Sequence, residues 1–201
     1  RGCNAASPTQ YGSTVAIGNV VVSPSEFMPR LFAENGRLLD SQGRITLDTP
    51  EALRALENYR ETYSYSDRTI YDFWKNALEG FADGTAAMTV VFINYASHIL
   101  NSQMSRIAGK LGFAPVPGGK PLLGGGVIGI AQSCTCPAAA CKFLEWLYAD
   151  LVAPVFTMLG GLSPCRSAYS NRDISEQYPW LSTARKSFPT AQRRSNSTYY
   201  Q

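Results

Sequence analysis

Few residues in this chain can do chemistry together. A single histidine, His98, stands in the run Asn94-Tyr95-Ala96-Ser97-His98-Ile99. Any Ser-His-Asp or Cys-His relay has to pass through it, and in a helical setting it reads as a surface or locally bonded side chain. Five cysteines, Cys3, Cys134, Cys136, Cys141 and Cys165, are too odd a number to pair fully within the chain. The spacing Cys134-x-Cys136-x4-Cys141 departs from that of structural zinc pairs, and the histidine lies far off. The cysteines read as free, partly buried thiols, which suits a reducing compartment. Gly124-Gly125-Gly126-Val127-Ile128-Gly129 satisfies the pattern G-x-G-x-x-G. That pattern cradles phosphate when a strand precedes it and a helix follows. Here the glycines precede an apolar, strand-like run, so they read as a crossing where backbone approaches another segment or a ligand.

Carboxylates are sparse around the glycines and the aromatic segments, and no glycosidase-like acid–base pair stands out. The aromatics are more informative: eleven tyrosines, nine phenylalanines and three tryptophans. Phe73-Trp74 and Phe92-x-Asn94-Tyr95 set rings beside amide and hydroxyl groups. Such a mixture offers flat apolar faces to the C–H surface of a carbohydrate and polar groups to its hydroxyls. On residue types alone, core packing is the simpler account.

The elements that must position these residues alternate between strand-like and helical. Tyr11–Val22 is β-rich and reads as a strand. Ser23-Pro24-Ser25-Glu26-Phe27 opens a helix with Ser23 as cap, Pro29 threatens to break it, and Asn35-Gly36 stops it. Asp40–Gly43 is a turn. Thr49-Pro50-Glu51 starts a second helix, with Leu53, Leu56, Tyr59 and Tyr63 on one face. Tyr71–Phe81 is helical, its stripe Phe73, Ala77, Leu78 and Phe81. Ala87–Phe92 is a strand and Tyr95–Leu100 turns back into helix. Leu111–Val116, closed by Pro117-Gly118-Gly119, and Val127–Ala131 are strands. Pro137–Leu151 is a helix with Ala140, Phe143, Leu144, Leu147 and Leu151 on one side. From Leu162 the chain reads as loop, anchored by Tyr178-Pro179-Trp180. This alternation argues for an α/β architecture.

Gross composition narrows the function classes. The 201 residues, 45% hydrophobic and 16% charged, can bury one sizeable core or two small ones. The net charge of +3 is scattered, and its dense spots, Arg185-Lys186 and Arg193-Arg194, read as solvated faces. No nucleic-acid partner is implied for this segment. No window approaches a membrane span, and Arg1-Gly2-Cys3 opens on no signal-peptide pattern.

Six motifs in order carry a resemblance: the early strand, the helix ending in Asn35-Gly36, and the Asp40–Gly43 turn with its Thr49-Pro50-Glu51 helix; then Phe81-x-x-Gly84-x-Ala86-Ala87-Met88; Gly112-Phe113-Ala114-Pro115-Val116-Pro117-Gly118-Gly119; and Gly124–Ile130, followed by Pro137–Leu151 and Gly161-x-x-Pro164-x-Arg166. Together they resemble the sugar-binding solute-binding proteins of ABC importers, the family-1 kind typified by maltose-binding protein. The resemblance implies an α/β, periplasmic-binding-protein-like (type II) lobe in an incomplete two-lobe architecture. Residues 1–125 plus 163–201 would form the second, C-terminal lobe. Residues 126–162 would supply a crossing strand and helix of a first lobe, most of which would lie before residue 1. It further implies a non-enzymatic protein with no cofactor, a carbohydrate ligand and ABC permease partners, held outside the cell as a lipoprotein or in the periplasm. Ligand contacts carried over by resemblance fall on Ser23, Ser25, Glu26, Phe92, Asn94, Tyr95, Gly124, Gly125, Gly126 and Arg166. Asn94 stands where the family places a stacking tryptophan. The apolar face of Pro137–Leu151 would lack its normal cover and need the first lobe, a second copy or local repacking. A cytoplasmic ligand-sensing domain using the same fold is the alternative reading, and the free cysteines favour it.

Overall fold

The computed structural model describes residues 7–18, 22–69, 74–170 and 172–194. Helix α1, Val22–Ala33, begins with Pro24 in its first turn and carries Pro29 inside without ending there. It stops where the sequence expects. Asn35 adopts φ 61°, in the left-handed region, and the Gly36 N–H closes on the Leu31 carbonyl at 2.9 Å. Helix α2, Pro50–Ser64, is capped by Thr49, whose Oγ1 accepts the Ala52 N–H at 3.4 Å.

The buried face of α2 is not the one its apolar periodicity predicts. Ala52 and Ala55 are buried with Leu31 of α1, while Leu53 and Leu56 are more than half exposed and Tyr59 and Tyr63 half-buried. The reason is size. Small residues let the two helices approach closely, and a Cβ on Gly36 would stand 3.2 Å from Glu51 Cβ. Larger side chains on that seam would hold α1 and α2 apart.

Four expected strands are extended segments with little or no ladder. Tyr11, Ser13 and Thr14 make isolated parallel bridges to Ala86, Ser66 and Thr89. Residues 19–21, the end of the first expected strand, lie outside the described residues, as does Phe73 of the expected third-helix stripe. Ala87–Phe92 joins this layer at its start, where the Ala87 N–H donates to the Tyr11 carbonyl and the Thr14 N–H to the Met88 carbonyl, each at 3.0 Å, beside the Thr14–Thr89 bridge, and Leu111–Val116 makes no ladder. Val127–Ala131 is exposed throughout and unpaired. A strand exists by hydrogen bonding to its neighbour, so an apolar run with no strand alongside remains extended coil. Among the described residues the regular ladder is β1, Leu122–Leu123, parallel to β2, Gln192–Arg193.

Helix α3, Trp74–Ala82, buries Ala77, Leu78 and Ala82. A 3-10 turn, Ile93–Tyr95, runs into α4, Ala96–Leu100, as the sequence predicts. Of the expected Pro137–Leu151 helix, Pro137–Leu147 forms as α5; residues 148–151 turn, and a further helix, α6, Val152–Met158, follows beyond the expected range. Pro154 explains the break, because in one continuous helix its ring would collide with the carbonyl four residues back. In α6 it sits in the first turn, where an N–H has no intrahelical partner anyway.

The segment after Leu162, expected as loop, is largely helical. It holds a 3-10 turn at Arg166–Tyr169, then α7, Arg172–Gln177, and α8, Pro179–Ser187. Pro179 starts α8, and Trp180, Leu181 and Ala184 form its buried stripe. These residues build the main core with Ala96, Ala153, Ala168 and Tyr169. Tyr178 packs against them, so the Tyr178-Pro179-Trp180 anchor is real although its surroundings are not loop.

Candidate functional site

Three segments distant in sequence meet around a shared apolar cluster. Phe92 and Tyr95, flanking the Ile93–Tyr95 turn, pack against Ala16, Val22 at the start of α1, and Ala77 of α3. The Phe92 ring also covers the first crossing glycine: a Cβ on Gly124 would stand 3.1 Å from Phe92 Cε1. Gly125 and Gly126 face open space. A return stretch closes the other side of the turn, where a Cβ on Gly160 would stand 3.1 Å from the Asn94 carbonyl oxygen. Gly160 has φ +94°, which a larger residue adopts only under strain. The turn bearing Phe92, Asn94 and Tyr95 is therefore wedged between the outgoing glycine run and the returning chain. Arg166 is exposed at the start of the 3-10 turn beyond Gly160.

The start of α1 is held by a polar clamp on Ala16, whose residue is fully buried. The Ala16 N–H donates to Glu26 Oε1 at 3.5 Å, and the Tyr59 hydroxyl donates to the Ala16 carbonyl at 3.1 Å. Side chains of two helices thus supply the bonds that a neighbouring strand would otherwise make. Burial pushes the Glu26 carboxyl up in pKa, and Arg30, 2.9 Å from Oε2, pulls it back in part. The Arg30 guanidinium lies 4.9 Å over the Tyr59 ring. Burial, with the charge of Glu26 adding to it, pushes the Tyr59 phenol up to about 12, and a hydrogen bond with Ser23 opposes the rise.

Of the three α1 residues named from sequence, Ser23 is half-buried, whereas Ser25 and Glu26 are buried. Ser25 Oγ accepts a hydrogen bond from Arg194 at 2.5 Å. Sequence reasoning did not single out Arg30 or the part-buried Thr14–Thr89 hydroxyl pair at 2.7 Å, and it assigned Tyr59 to an apolar stripe. Nothing local distinguishes these residues, because their partners come from other elements.

A hollow of about 1130 Å³ between α1 and α2 borders Ser23 and Tyr59 but is walled by Phe27, Leu47, Leu53 and Leu56. It does not reach Phe92–Tyr95. Cys134 and Cys165 are half-buried, Cys136 and Cys141 are exposed, and these four thiols are free. Among the described residues no three His, Cys, Asp or Glu side chains cluster as metal ligands.

The chain belongs to the bacterial extracellular solute-binding proteins, whose family profile matches residues 6–183. It is 20% identical over 182 residues to a probable amino-acid ABC transporter periplasmic-binding protein of Sinorhizobium fredii, spanning 89% of this chain and 42% of that one. It is 28% identical over 91 residues to the putative ABC transporter periplasmic-binding protein YcjN of Escherichia coli, 45% of this chain and 20% of that one. Among solved structures, maltose-bound MalE3 of T. maritima superposes with a TM-score of 0.81 at 24% identity, covering 94% of this chain and 52% of that one. A solute-binding protein of Agrobacterium radiobacter K84 in complex with ribitol gives 0.73 at 22% identity, with 91% and 48% covered. The fold is thus that of periplasmic solute-binding proteins, and the chain spans about half the length of such relatives.

Proposed function

We propose that this chain is one lobe, with its crossing segments, of an extracellular binding protein that hands a sugar or polyol to an ABC permease. Residues 1–125 and 163–201 make that lobe, and 126–162 belong to a first lobe. One observation carries the reading. Nine of the seventeen exposed large apolar side chains among the described residues fall within 126–162, including Val127, Phe143, Trp146, Leu151 and Leu159. A monomer rarely leaves such a surface bare, and a strand and helix built to complete another lobe would show it.

The chemistry of the turn favours a neutral, hydroxylated solute. Ser23, Phe92, Asn94, Tyr95 and the glycines carry no charge, nearby Glu26 and Arg30 are spent on each other, and Arg166 leaves one charge of one sign among the candidate contacts. A zwitterionic amino acid needs opposite charges to receive it. The solved relatives hold maltose, ribitol and, in a protein from Agrobacterium vitis, mannitol. They bind by enclosure between two lobes in this reading, so one lobe retains only part of the affinity. Halving the free energy of a micromolar complex leaves a roughly millimolar one.

Amide NMR of the chain titrated with mannitol and maltose tests this. Fast-exchange shifts at Ser23, Phe92–Tyr95 and Gly124–Gly126, with millimolar midpoints, are the expected result. Shifts there from leucine or glutamine instead, or micromolar sugar affinity in the isolated chain, would overturn it. A second reading, a cytoplasmic ligand-sensing domain, draws support from the exposed free thiols Cys136 and Cys141. The coding sequence preceding Arg1 discriminates: an export signal supports import, a helix-turn-helix supports sensing.

A further inference from the structure

A second hollow, of about 500 Å³, opens beside the C-terminal end of α1. Its apolar lining is Met28, Phe32, Leu38 and Leu39, and three cations share the wall: Arg37, Lys120 and Arg193. They come from separate stretches that the fold gathers. Arg37 follows the Asn35-Gly36 helix stop. Lys120 arrives from the Pro117–Gly119 turn, which is seated so tightly that a Cβ on Gly118 would stand 3.1 Å from Ala33 Cα. Arg193 arrives by the parallel register that sets it opposite Leu123.

The charges there are unbalanced. The one carboxylate in the wall, Asp40, is already taken by Arg44 Nε at 2.7 Å and by the Gln42 and Arg44 N–H groups at 2.8 and 2.9 Å. Lys120 donates to the neutral Asn35 Oδ1. Among the described residues no carboxylate forms an ion pair with Arg37, Lys120 or Arg193. The formal net charge of the whole chain is only +3, so three unpaired cations around one hollow are a marked concentration. The end of α1 does not account for them. Three of its last four carbonyls, Arg30, Phe32 and Leu31, accept the N–H groups of Glu34, Asn35 and Gly36 at 3.3, 3.0 and 2.9 Å.

We infer that this hollow binds a carboxylic acid with an apolar body, the body lying on Met28, Phe32, Leu38 and Leu39 and the carboxylate reaching Arg37, Lys120 and Arg193. Both halves of the hollow ask for their match. A bare inorganic anion leaves the apolar floor wet, and a neutral hydrocarbon leaves the cations without a partner. The volume lies in the range of small-ligand sites.

Octanoate is the probe, followed by amide NMR at low salt. Saturable shifts at Phe32–Leu39 and Gln192–Arg193 are expected. Arg37→Gln and Arg193→Gln, both at exposed side chains, should each weaken octanoate about 3–10-fold without changing the melting temperature. 1-Octanol should bind more weakly than octanoate by at least as much. The mannitol response at Phe92–Tyr95 should be the same in both variants, so this site stands or falls apart from the sugar site. The inference is overturned by no saturation at about 10 mM octanoate, by equal binding of 1-octanol, by inorganic phosphate matching octanoate at the same amides, or by variants that bind octanoate unchanged.

Discussion

The bare apolar face of residues 126–162 has a measurable consequence for the chain alone. Phe143, Trp146, Leu151 and Leu159 are 55%, 57%, 88% and 76% exposed, and the first two rings lie 5.7 Å apart. Full burial of such a side chain contributes roughly 1.5–3 kcal/mol. Scaled by the fraction still exposed, these four hold roughly 4–8 kcal/mol in reserve. Bringing two chains together costs about 4–15 kcal/mol. The balance permits weak self-association at high concentration where no first lobe covers the face. Sedimentation velocity from about 20 µM to 1 mM should show the mean mass rising above the 21.9 kDa monomer. Trp146→Glu with Leu151→Glu should hold it at 21.9 kDa. Because both side chains are mostly solvated already, that variant should unfold within about 0.5 kcal/mol per site of the parent. A parent chain that stays monomeric to 1 mM refutes the reasoning. So does a double variant that loses several kcal/mol, because the face would then be core.

Gly118 carries φ +79°, and a Cβ there would press into Ala33. Gly118→Ala should therefore lose about 2–4 kcal/mol in urea unfolding from strain and overpacking together; a loss below 0.5 kcal/mol contradicts the seating of that turn against α1. Burial raises the Glu26 pKa from its ordinary 4.5, so the folded chain holds that proton more readily than the unfolded one. Its contribution to stability is then full below about pH 4.5 and is lost as pH rises through the raised folded value. Glu26→Gln cannot titrate, so the parent should lose stability relative to that variant between pH 4.5 and 7, with a slope of at most about 1.4 kcal/mol per pH unit. The opposite slope would mean that Arg30, not burial, sets the carboxylate.

Helix ends were legible in the sequence because their determinants are local. Thr49-Pro50, Asn35-Gly36 and Pro137 each act within one turn of themselves. The residue types of the candidate site were legible too, but their meeting was not. Phe92 covers Gly124, and Tyr59 bonds Ala16, only after the chain has doubled back across intervening elements. Strand readings failed for a different cause. Apolar runs such as Val127–Ala131 are fit for a ladder, but a ladder needs a second strand that these residues do not find here.

The burial errors run in one direction, and that direction is informative. Leu53 and Leu56, on one face by periodicity, stand outward, and Phe143 and Leu151 stand bare as the expected lack of cover implies. Random misassignment would also have placed buried residues outside, yet the residues that replace Leu53 and Leu56 at the α1–α2 seam are alanines, too small to dominate an apolar pattern. Periodicity reports which face a helix is built to cover with something, not what covers it. For α5 the described residues leave Phe143 and Trp146 bare while the helix itself forms, whereas α6 buries Ala153 in the main core and leaves Val155 bare. A helix patterned for burial, whose apolar face the described residues leave bare, fits the proposal that 126–162 belong to a first lobe. The same argument predicts that a first lobe supplied separately protects Trp146 and Leu151 while leaving Trp180, already buried in the main core, unchanged in its fluorescence environment.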